Sequence, residues 1–340
     1  MRHVRVGLGC RAYSVLIGSG VLGEAGEEAA RVEPSSASII THPGLAERWA
    51  RPVAEGLRRR GIPACLITVP AGERHKSLRQ AGLLHERLLA AGMDRRSLLL
   101  VVGGGVLGDL GGFVAATYMR GIRIIQVPTT LLAMVDASIG GKTAVDLPGG
   151  KNVVGAFHQP SAVVADIDTL QTLPARELRS GLAEVVKYGI ICDAALFDRV
   201  RAAMPRLLRR EREPLVEAIH RSCQIKADIV AEDETEQGRR AILNFGHTVG
   251  HALEASTGYR RFKHGEAIAI GMVTAALVGR ELGITPPAIV PEVAGALQAA
   301  RLPVEWPSDL DPEAVLQALQ HDKKTVAGRM AFVLAEGIGR

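Results

Sequence analysis

Hydrophobic and polar positions follow one pattern in the first half of the chain and another in the second. Over the first 165 residues, short apolar runs of strand length alternate with longer amphipathic stretches of helical period. The short runs predict strands at Arg5–Leu8, Ser14–Ile17, Ser38–Thr41, Ala64–Val69, Ser97–Val102, Ile122–Val127 and Ala162–Ala165. The amphipathic stretches predict helices at Leu45–Arg60, Ser77–Ala91, Val106–Tyr118 and Thr130–Ala137. Strands that alternate with helices indicate an open α/β sheet whose strands are mostly parallel.

The β signal disappears after Asp166, and helical periodicity dominates the remainder of the chain. The predicted helices are Ala175–Ile191, Ala194–Leu208, Glu213–Glu232, Arg239–Thr257, Glu266–Leu282, Pro291–Ala300 and Pro312–His321. This change of pattern predicts two domains, an α/β domain at residues 1–165 and an all-α domain at residues 166–340.

Composition places the chain among ordinary soluble globular proteins. Its 340 residues are 47% apolar and 23% charged, enough to bury a substantial core. No apolar run reaches the 18 or so residues that span a bilayer, and the first residues lack a signal-peptide pattern, so we expect a cytoplasmic protein without a membrane partner. The four cysteines are far apart, which argues against a disulfide framework.

The net charge of +5 is compatible with anionic small molecules or with nucleic acid. Only 4% of residues are aromatic, and the basic clusters lie in predicted helices where they are partly mixed with acids. Stacking platforms and a basic stripe are both missing, so we expect no nucleic-acid partner.

A glycine turn joins the predicted strand Ser97–Val102 to the helix that follows it. Gly103, Gly105 and Gly108 match the G-x-G-x-x-G pattern in its proper context, after a strand and at the start of a helix. Backbone amides at such a helix start bind a pyrophosphate. The pattern therefore predicts a Rossmann-like dinucleotide site, although the acid that usually contacts the ribose is not found about twenty residues later.

A second glycine-rich stretch, Gly140–Thr143, suggests a P-loop, but that interpretation fails. The pattern requires a glycine five residues before Gly141, and Asp136 stands there. Lys142 and Lys151 still lie in glycine-rich surroundings, which we interpret as loops from which their ammonium groups can reach phosphate or carboxylate.

Four polar residues predict a metal site. On a continuous helix Arg240, Asn244, His247 and His251 would point within roughly 60° of one direction. Two imidazoles four residues apart can face one metal ion, and His264 could supply a third nitrogen.

The helix Ala175–Ile191 carries Glu177, Glu184 and Lys187 on a surface that is otherwise apolar nearly all round. A glutamate and a lysine on a mostly buried helix need a partner, and a metal with an anionic ligand would serve.

Taken in order, these features resemble one family. The motifs are the glycine turn, Pro128–Leu132, Asp136–Lys142, Gly150–Asn152, Glu184–Lys187, Asn244–Thr248, His264–Glu266 and Asp322–Lys324. Together they are similar to 3-dehydroquinate synthases of the sugar phosphate cyclase superfamily. The resemblance implies an NAD-binding α/β domain followed by a helical metal domain, a cytoplasmic homodimer, and the second step of the shikimate pathway of aromatic amino acid biosynthesis.

The resemblance also implies roles for individual residues. Glu184, His247 and His264 would bind Zn²⁺ or Co²⁺. The implied NAD contacts are Glu73, Lys76, Gly105, Val106, Gly108, Asp109, Thr129, Thr130, Lys142, Lys151, Thr169, Thr172 and Glu177. The implied substrate contacts are Asp136, Lys142, Asn152, Lys187, Lys226, Arg240, Asn244, His251 and one or both of Lys323 and Lys324, with Arg120 reaching the phosphate bound by the neighbouring subunit.

The implied reaction converts a seven-carbon sugar acid phosphate by transient oxidation with NAD, phosphate elimination, re-reduction and an intramolecular aldol closure. Other sugar phosphate cyclases, which make valiolone or inosose precursors, are the nearest alternative. Their substrates lack the carboxylate that Arg240, Asn244 and Lys226 would bind. A metal-dependent polyol dehydrogenase is a second alternative. A metalloprotease is excluded because Thr248 stands where its helix requires glutamate.

Overall fold

The computed structural model describes residues 1–320 and 331–340. By the density of internal contacts these residues form two compact units, 1–173 with 226–235 and 174–225 with 236–340. The sequence pattern predicts a boundary after residue 165, whereas the first unit extends to residue 173 and also includes residues 226–235. Within the described ranges, no helix is long and apolar enough to cross a membrane.

The first unit is built on a mostly parallel sheet. Its strands are β1 Arg2–Val6, β2 Tyr13–Gly18, β3 Ala37–Thr41, β4 Ala64–Thr68, β5 Leu98–Gly103, β6 Arg123–Pro128 and β9 Ala162–Asp166, in the order β1-β2-β9-β6-β5-β3-β4. Only the β1–β2 pair is antiparallel among these strands. The mostly parallel sheet predicted from the alternating pattern is confirmed.

Helices cover both faces of this sheet. They are α1 Glu24–Ala30, α2 Pro43–Leu45, α3 Arg51–Arg59, α4 Leu78–Ala90 and α5 Gly105–Thr117. Along β5, Leu98, Leu100 and Val102 pack in one hydrophobic core with α1 and α3, whereas Leu99 and Val101 pack in another with α4 and α5. A strand buried on both faces is apolar at every position, which explains its uninterrupted run of hydrophobic residues.

An antiparallel hairpin in the first unit was not predicted. It consists of β7 Lys142–Leu147 and β8 Gly150–Phe157, with Lys142 opposite Phe157. The interpretation of Lys142 and Lys151 as loop residues is therefore wrong, because both lie in paired strands. The available signal was the Pro148–Gly149 turn between two short segments rich in β-branched residues.

The second unit is helical. It contains α6 Ala175–Cys192, α7 Ala194–Leu208, the first part of α8 Arg212–Glu232, α9 His247–Ser256, α10 His264–Glu281, α11 Ile289–Ala299 and α12 Pro312–Gln320. Helix α6 is buried nearly all round, as predicted. Val249, Leu253 and Ile270 form a hydrophobic core between α9, α10 and α12.

The predicted continuous helix Arg239–Thr257 is wrong. Residues Arg239–Asn244 form a 3₁₀ helix, Phe245 is extended, and Gly246 adopts the left-handed conformation with φ 77° before α9 begins at His247. Arg240 and Asn244 therefore do not share a helical stripe with His247 and His251.

Candidate metal and dinucleotide sites

Three predicted metal ligands come together in the second unit. Glu184 lies on α6, His247 is the first residue of α9 and His264 is the first residue of α10. One ligand atom from each of the three lies within 4.8 Å of the others. Oε1 of Glu184 is 3.3 Å from Nε2 of His247 and 3.4 Å from Nε2 of His264.

These separations fit a tetrahedral metal ion. Two ligand atoms bound at 2.0–2.1 Å to a tetrahedral zinc stand about 3.3–3.4 Å apart, because the edge of a tetrahedron is about 1.6 times its centre-to-corner distance. Three protein ligands also leave one position for a substrate oxygen. The residues present therefore fit a catalytic divalent metal.

The second nitrogen of each imidazole is held by another acceptor. Nδ1 of His247 is 3.1 Å from the backbone oxygen of Phe245, and Nδ1 of His264 is 3.2 Å from Oε2 of Glu254. A proton on each Nδ1 leaves the Nε2 lone pair available for a metal. Glu254 was not predicted as a site residue, although it lies seven residues after His247 and hence on the same face of α9.

Electrostatics in this site keep Glu184 ionised and His247 neutral, the states that a metal ligand requires. Glu184 is fully buried, and although burial alone would raise its pKa, Lys187 and the two imidazoles hold it well below the usual range. Burial, together with the Lys187 ammonium, lowers the pKa of His247 to about 4. Burial also disfavours the charged form of His264, but hydrogen bonds to Glu184 and Glu254 outweigh it and raise its pKa to about 10. A divalent ion between these groups would take the place of that proton.

Lys187 supports Glu184 from within the same helix. Its Nζ lies 2.5 Å from Oε2 of Glu184 and donates to the backbone oxygen of Leu243 at 2.8 Å. Both side chains are almost completely buried, as the apolar surroundings of the predicted pair required.

The second unit also contains residues that were predicted to contact the substrate or the cofactor. The ring of His251 lies 5.4 Å from that of His247, centroid to centroid. Arg240 is 1% exposed within the 3₁₀ helix. The side-chain amide of Asn244 donates to Glu236 at 2.9 Å, and Glu177 pairs with Lys263 at 2.7 Å. Lys323 and Lys324 lie outside the described residues.

The glycine turn of the first unit has the geometry of a dinucleotide site. It follows β5 directly and opens α5, whose start has no side-chain cap among the described residues. A Cβ at Gly103 would lie 2.7 Å from the side chain of Leu107, and one at Gly108 would lie 3.1 Å from that of Gln126, so a larger residue at either position would require those side chains to shift. Val106 lies in the first turn of α5, where amides can hold a pyrophosphate.

Predicted cofactor and substrate residues contact one another beside this turn. Nζ of Lys76 lies 2.5 Å from both Oδ2 of Asp109 and Oδ1 of Asn152. Asn152 has φ 54°, and its backbone N–H donates to Oδ1 of Asp146 at 2.9 Å. Burial would lower the pKa of Lys76, but Asp109 outweighs it and raises that pKa, so the lysine carries its charge. In addition, Lys151 pairs with Glu73 at 3.4 Å.

The remaining predicted residues of the first unit lie at the ends of strands or in short turns. Thr129 donates its amide to Gly103 at 2.9 Å, so it lies at the same carboxyl edge as the glycine turn. The Thr130 hydroxyl accepts from the backbone amide of Ala133 at 3.2 Å, at the start of a short π-helical turn. That turn contains Asp136, whose carboxylate lies 2.6 Å from Nζ of Lys226. Thr169 and Thr172 lie in a 3₁₀ helix, and Trp49 donates its indole N–H to Thr172 at 3.2 Å.

Arg120 is the last residue of a 3₁₀ helix, Tyr118–Arg120, in the same unit. It has φ 67° and lines a cavity of about 370 Å³ together with Arg95, Arg123 and His158. The clustered cations would suit an anion.

Comparison with known proteins identifies relatives of the whole chain. Residues 66–180 match the model of the 3-dehydroquinate synthase N-terminal domain, and residues 181–325 match that of the C-terminal domain. The chain is 47% identical to a 3-dehydroquinate synthase from Pelotomaculum thermopropionicum, covering 100% of this chain and 92% of the relative. It is 46% identical to one from Caulobacter vibrioides, covering 100% and 94%.

Solved structures agree in fold. A 2-deoxy-scyllo-inosose synthase complexed with carbaglucose-6-phosphate, NAD⁺ and Co²⁺ superposes with a TM-score of 0.92 at 28% identity, covering 100% of this chain and 93% of that one. A 2-epi-5-epi-valiolone synthase from Streptomyces hygroscopicus, with NAD⁺ and Zn²⁺ bound, gives 0.87 at 28% identity, covering 96% and 91%. A glycerol dehydrogenase from Schizosaccharomyces pombe shares the fold at 17% identity and a TM-score of 0.70, covering 96% and 86%.

Proposed function

Because the chain belongs to the 3-dehydroquinate synthase family, we propose that it converts 3-deoxy-D-arabino-heptulosonate 7-phosphate to 3-dehydroquinate and phosphate. The observation that carries the proposal is the convergence of Glu184, His247 and His264 at the separations of a tetrahedral metal site. A site of this kind, together with a dinucleotide turn on the same chain, suits a reaction that needs both metal and NAD.

Each set of residues has a defined task in this proposal. When bound, a divalent metal held by Glu184, His247 and His264 would supply a Lewis acid, and NAD⁺ at the glycine turn would supply reversible hydride transfer. Lys187 keeps Glu184 ionised and therefore able to act as a ligand. The start of α5 holds the cofactor pyrophosphate, and Lys76 holds Asp109 and Asn152 in place beside it.

Cationic and amide side chains would bind the two anionic groups of the substrate. We assign its carboxylate to Arg240 and Asn244, and its phosphate to lysines and to Arg120 from a second subunit. The enzyme would then act as a lyase, since the cofactor ends the cycle unchanged. We further propose that it works as a homodimer in the cytoplasm, in the shikimate pathway of aromatic amino acid biosynthesis.

The test is phosphate release from the seven-carbon sugar acid phosphate in the presence of NAD⁺ and Zn²⁺ or Co²⁺. Glucose 6-phosphate and sedoheptulose 7-phosphate, which lack the carboxylate, are the matched controls. We expect release from the carboxylated substrate and formation of 3-dehydroquinate. Faster turnover of either control would assign the chain to the inosose or valiolone type of cyclase instead.

A further inference from the structure

Glu254 lies at the second ring nitrogen of His264. Its Oε2 is 3.2 Å from Nδ1, while Nε2 of the same imidazole is 3.4 Å from Glu184. The Glu254 side chain is buried, and it comes from α9 whereas His264 begins α10. Each nitrogen of this imidazole therefore has a carboxylate beside it, and each carboxylate comes from a different helix.

We infer that Glu254 is a positioning residue, which orients His264 as a metal ligand without touching the metal or the substrate. The inference rests on the proposed metal site. An imidazole that binds a metal through Nε2 carries its proton on Nδ1, and in His264 that proton faces the buried carboxylate of Glu254. A carboxylate acceptor sets the tautomer, fixes the plane of the ring and makes Nε2 more basic.

A second metal ion is the competing interpretation, because His251, Glu254 and His264 also offer three ligand atoms within 4.8 Å of one another. Such a site would require His264 to bind one metal through each nitrogen and to lose both ring protons. The positioning role requires only the ordinary neutral imidazole, so it is the simpler chemistry for the same geometry.

The test compares Glu254→Ala and Glu254→Gln with the wild-type protein. The Zn²⁺ dissociation constant is measured by competition with a chromophoric chelator, the metal content by elemental analysis, and the ligand field from the visible spectrum of the Co²⁺ form. We expect Glu254→Ala to bind one Zn²⁺ about 10- to 100-fold more weakly, with an altered Co²⁺ spectrum. Glu254→Gln keeps an acceptor oxygen, so its loss should be smaller.

Glu266→Gln is the matched control. Glu266 lies two residues after His264, but its carboxylate contacts Arg176 and the backbone amide of Lys263 rather than the imidazole. The same change of charge there should leave the Zn²⁺ affinity within about twofold of wild type. Thermal unfolding of the metal-free proteins separates an effect on folding from an effect on metal binding.

Several results would overturn the inference. Wild-type Zn²⁺ affinity in Glu254→Ala would show that the carboxylate does not act on the ligand. Equal losses of metal-free stability in both Glu254 variants, with unchanged affinity, would make the contact purely structural. Two ions per wild-type chain and one in Glu254→Ala would establish the second metal site. Absence of metal from the wild-type protein would instead contradict the proposed metal site itself.

Discussion

At the scale of single residues, the candidate metal site depends on which nitrogen of each histidine is available to bind an ion. The backbone oxygen of Phe245 holds Nδ1 of His247, and Glu254 holds Nδ1 of His264, so both Nε2 atoms are left to face Glu184. The three ligands come from three helices, and no single helix could bring them together. Removal of one ligand should therefore abolish the site without dismantling the fold.

Replacement of His247 by alanine should leave a folded protein with little bound metal, because two remaining ligands hold a divalent ion weakly. Elemental analysis of the purified variant is the measurement, and circular dichroism checks the fold. His85→Ala is a control, since His85 lies in the first unit and contacts Thr117. Full stoichiometric metal in His247→Ala would remove this residue from the ligand set.

In the proposed function, Arg240 binds the carboxylate that distinguishes the seven-carbon sugar acid phosphate from the substrates of the other cyclases. Loss of one charge-assisted contact to a carboxylate costs about 1.5–3 kcal/mol, so Arg240→Ala should lower kcat/KM for the carboxylated substrate roughly 10- to 150-fold. Metal content and NAD affinity should stay near wild type. Because Arg240 is almost fully buried, Arg240→Lys is the companion variant that keeps the charge and most of the volume. Unchanged kcat/KM in both variants would refute the carboxylate assignment and favour a valiolone-type cyclase.

At the scale of elements, Gly246 is the residue that sets the position at which α9 begins. The 3₁₀ helix ends at Asn244, Phe245 is extended, and the left-handed conformation of Gly246 lets His247 begin a new α-helix. A Cβ at Gly246 would lie 2.5 Å from Met272 and 2.8 Å from the backbone oxygen of Ile268, both on α10. The two helices that carry His247 and His264 are therefore in direct contact at a residue where only glycine fits.

Gly246→Ala should destabilise the metal-free protein and weaken metal binding together. Left-handed backbone costs an L-residue about 1–2 kcal/mol, and overpacking adds about 1–3 kcal/mol. Gly258→Ala is the matched control, because Gly258 has φ 60° but nothing within 4 Å of its Cβ position. Urea unfolding measures the free energy of unfolding of each metal-free variant, and a chelator competition measures its Zn²⁺ affinity. Equal destabilisation by the two variants would argue against the packing role.

At the scale of the whole molecule, the proposed cycle returns its hydride, so NAD⁺ should be recycled. Stopped-flow absorbance at the NADH band is expected to show at most a transient while phosphate and 3-dehydroquinate accumulate. The same preparation without added metal is the control. Steady accumulation of NADH in step with product would establish the polyol dehydrogenase alternative, a class with which this chain shares its fold.

Local patterns in the sequence were sufficient for most elements. The inner strands β5 and β9 are mostly apolar and buried on both faces, and most of the long helices carry a helical period, so both could be recognised without tertiary information. Helix α6 could be recognised as a buried helix because it carries apolar residues on every side. The same apolar surroundings indicate that Glu184 and Lys187 need partners. The glycine turn after β5 was recognisable for the same reason, because strand, turn and helix are consecutive in the chain.

Only the tertiary structure decided how the ligands meet. The apolar and polar spacing around Arg239–Thr257 suits one continuous helix, whereas in the structure the chain breaks at Gly246, where α10 packs closely against that glycine. For the same reason the contact between Glu254 and His264 joins two helices, and no spacing along the chain reveals it. The hairpin β7–β8 places Asn152 beside Lys76, which is 76 residues away. Secondary structure depends on neighbours in sequence, whereas a site made from several elements depends on how their surfaces pack, and packing is a property of the folded chain.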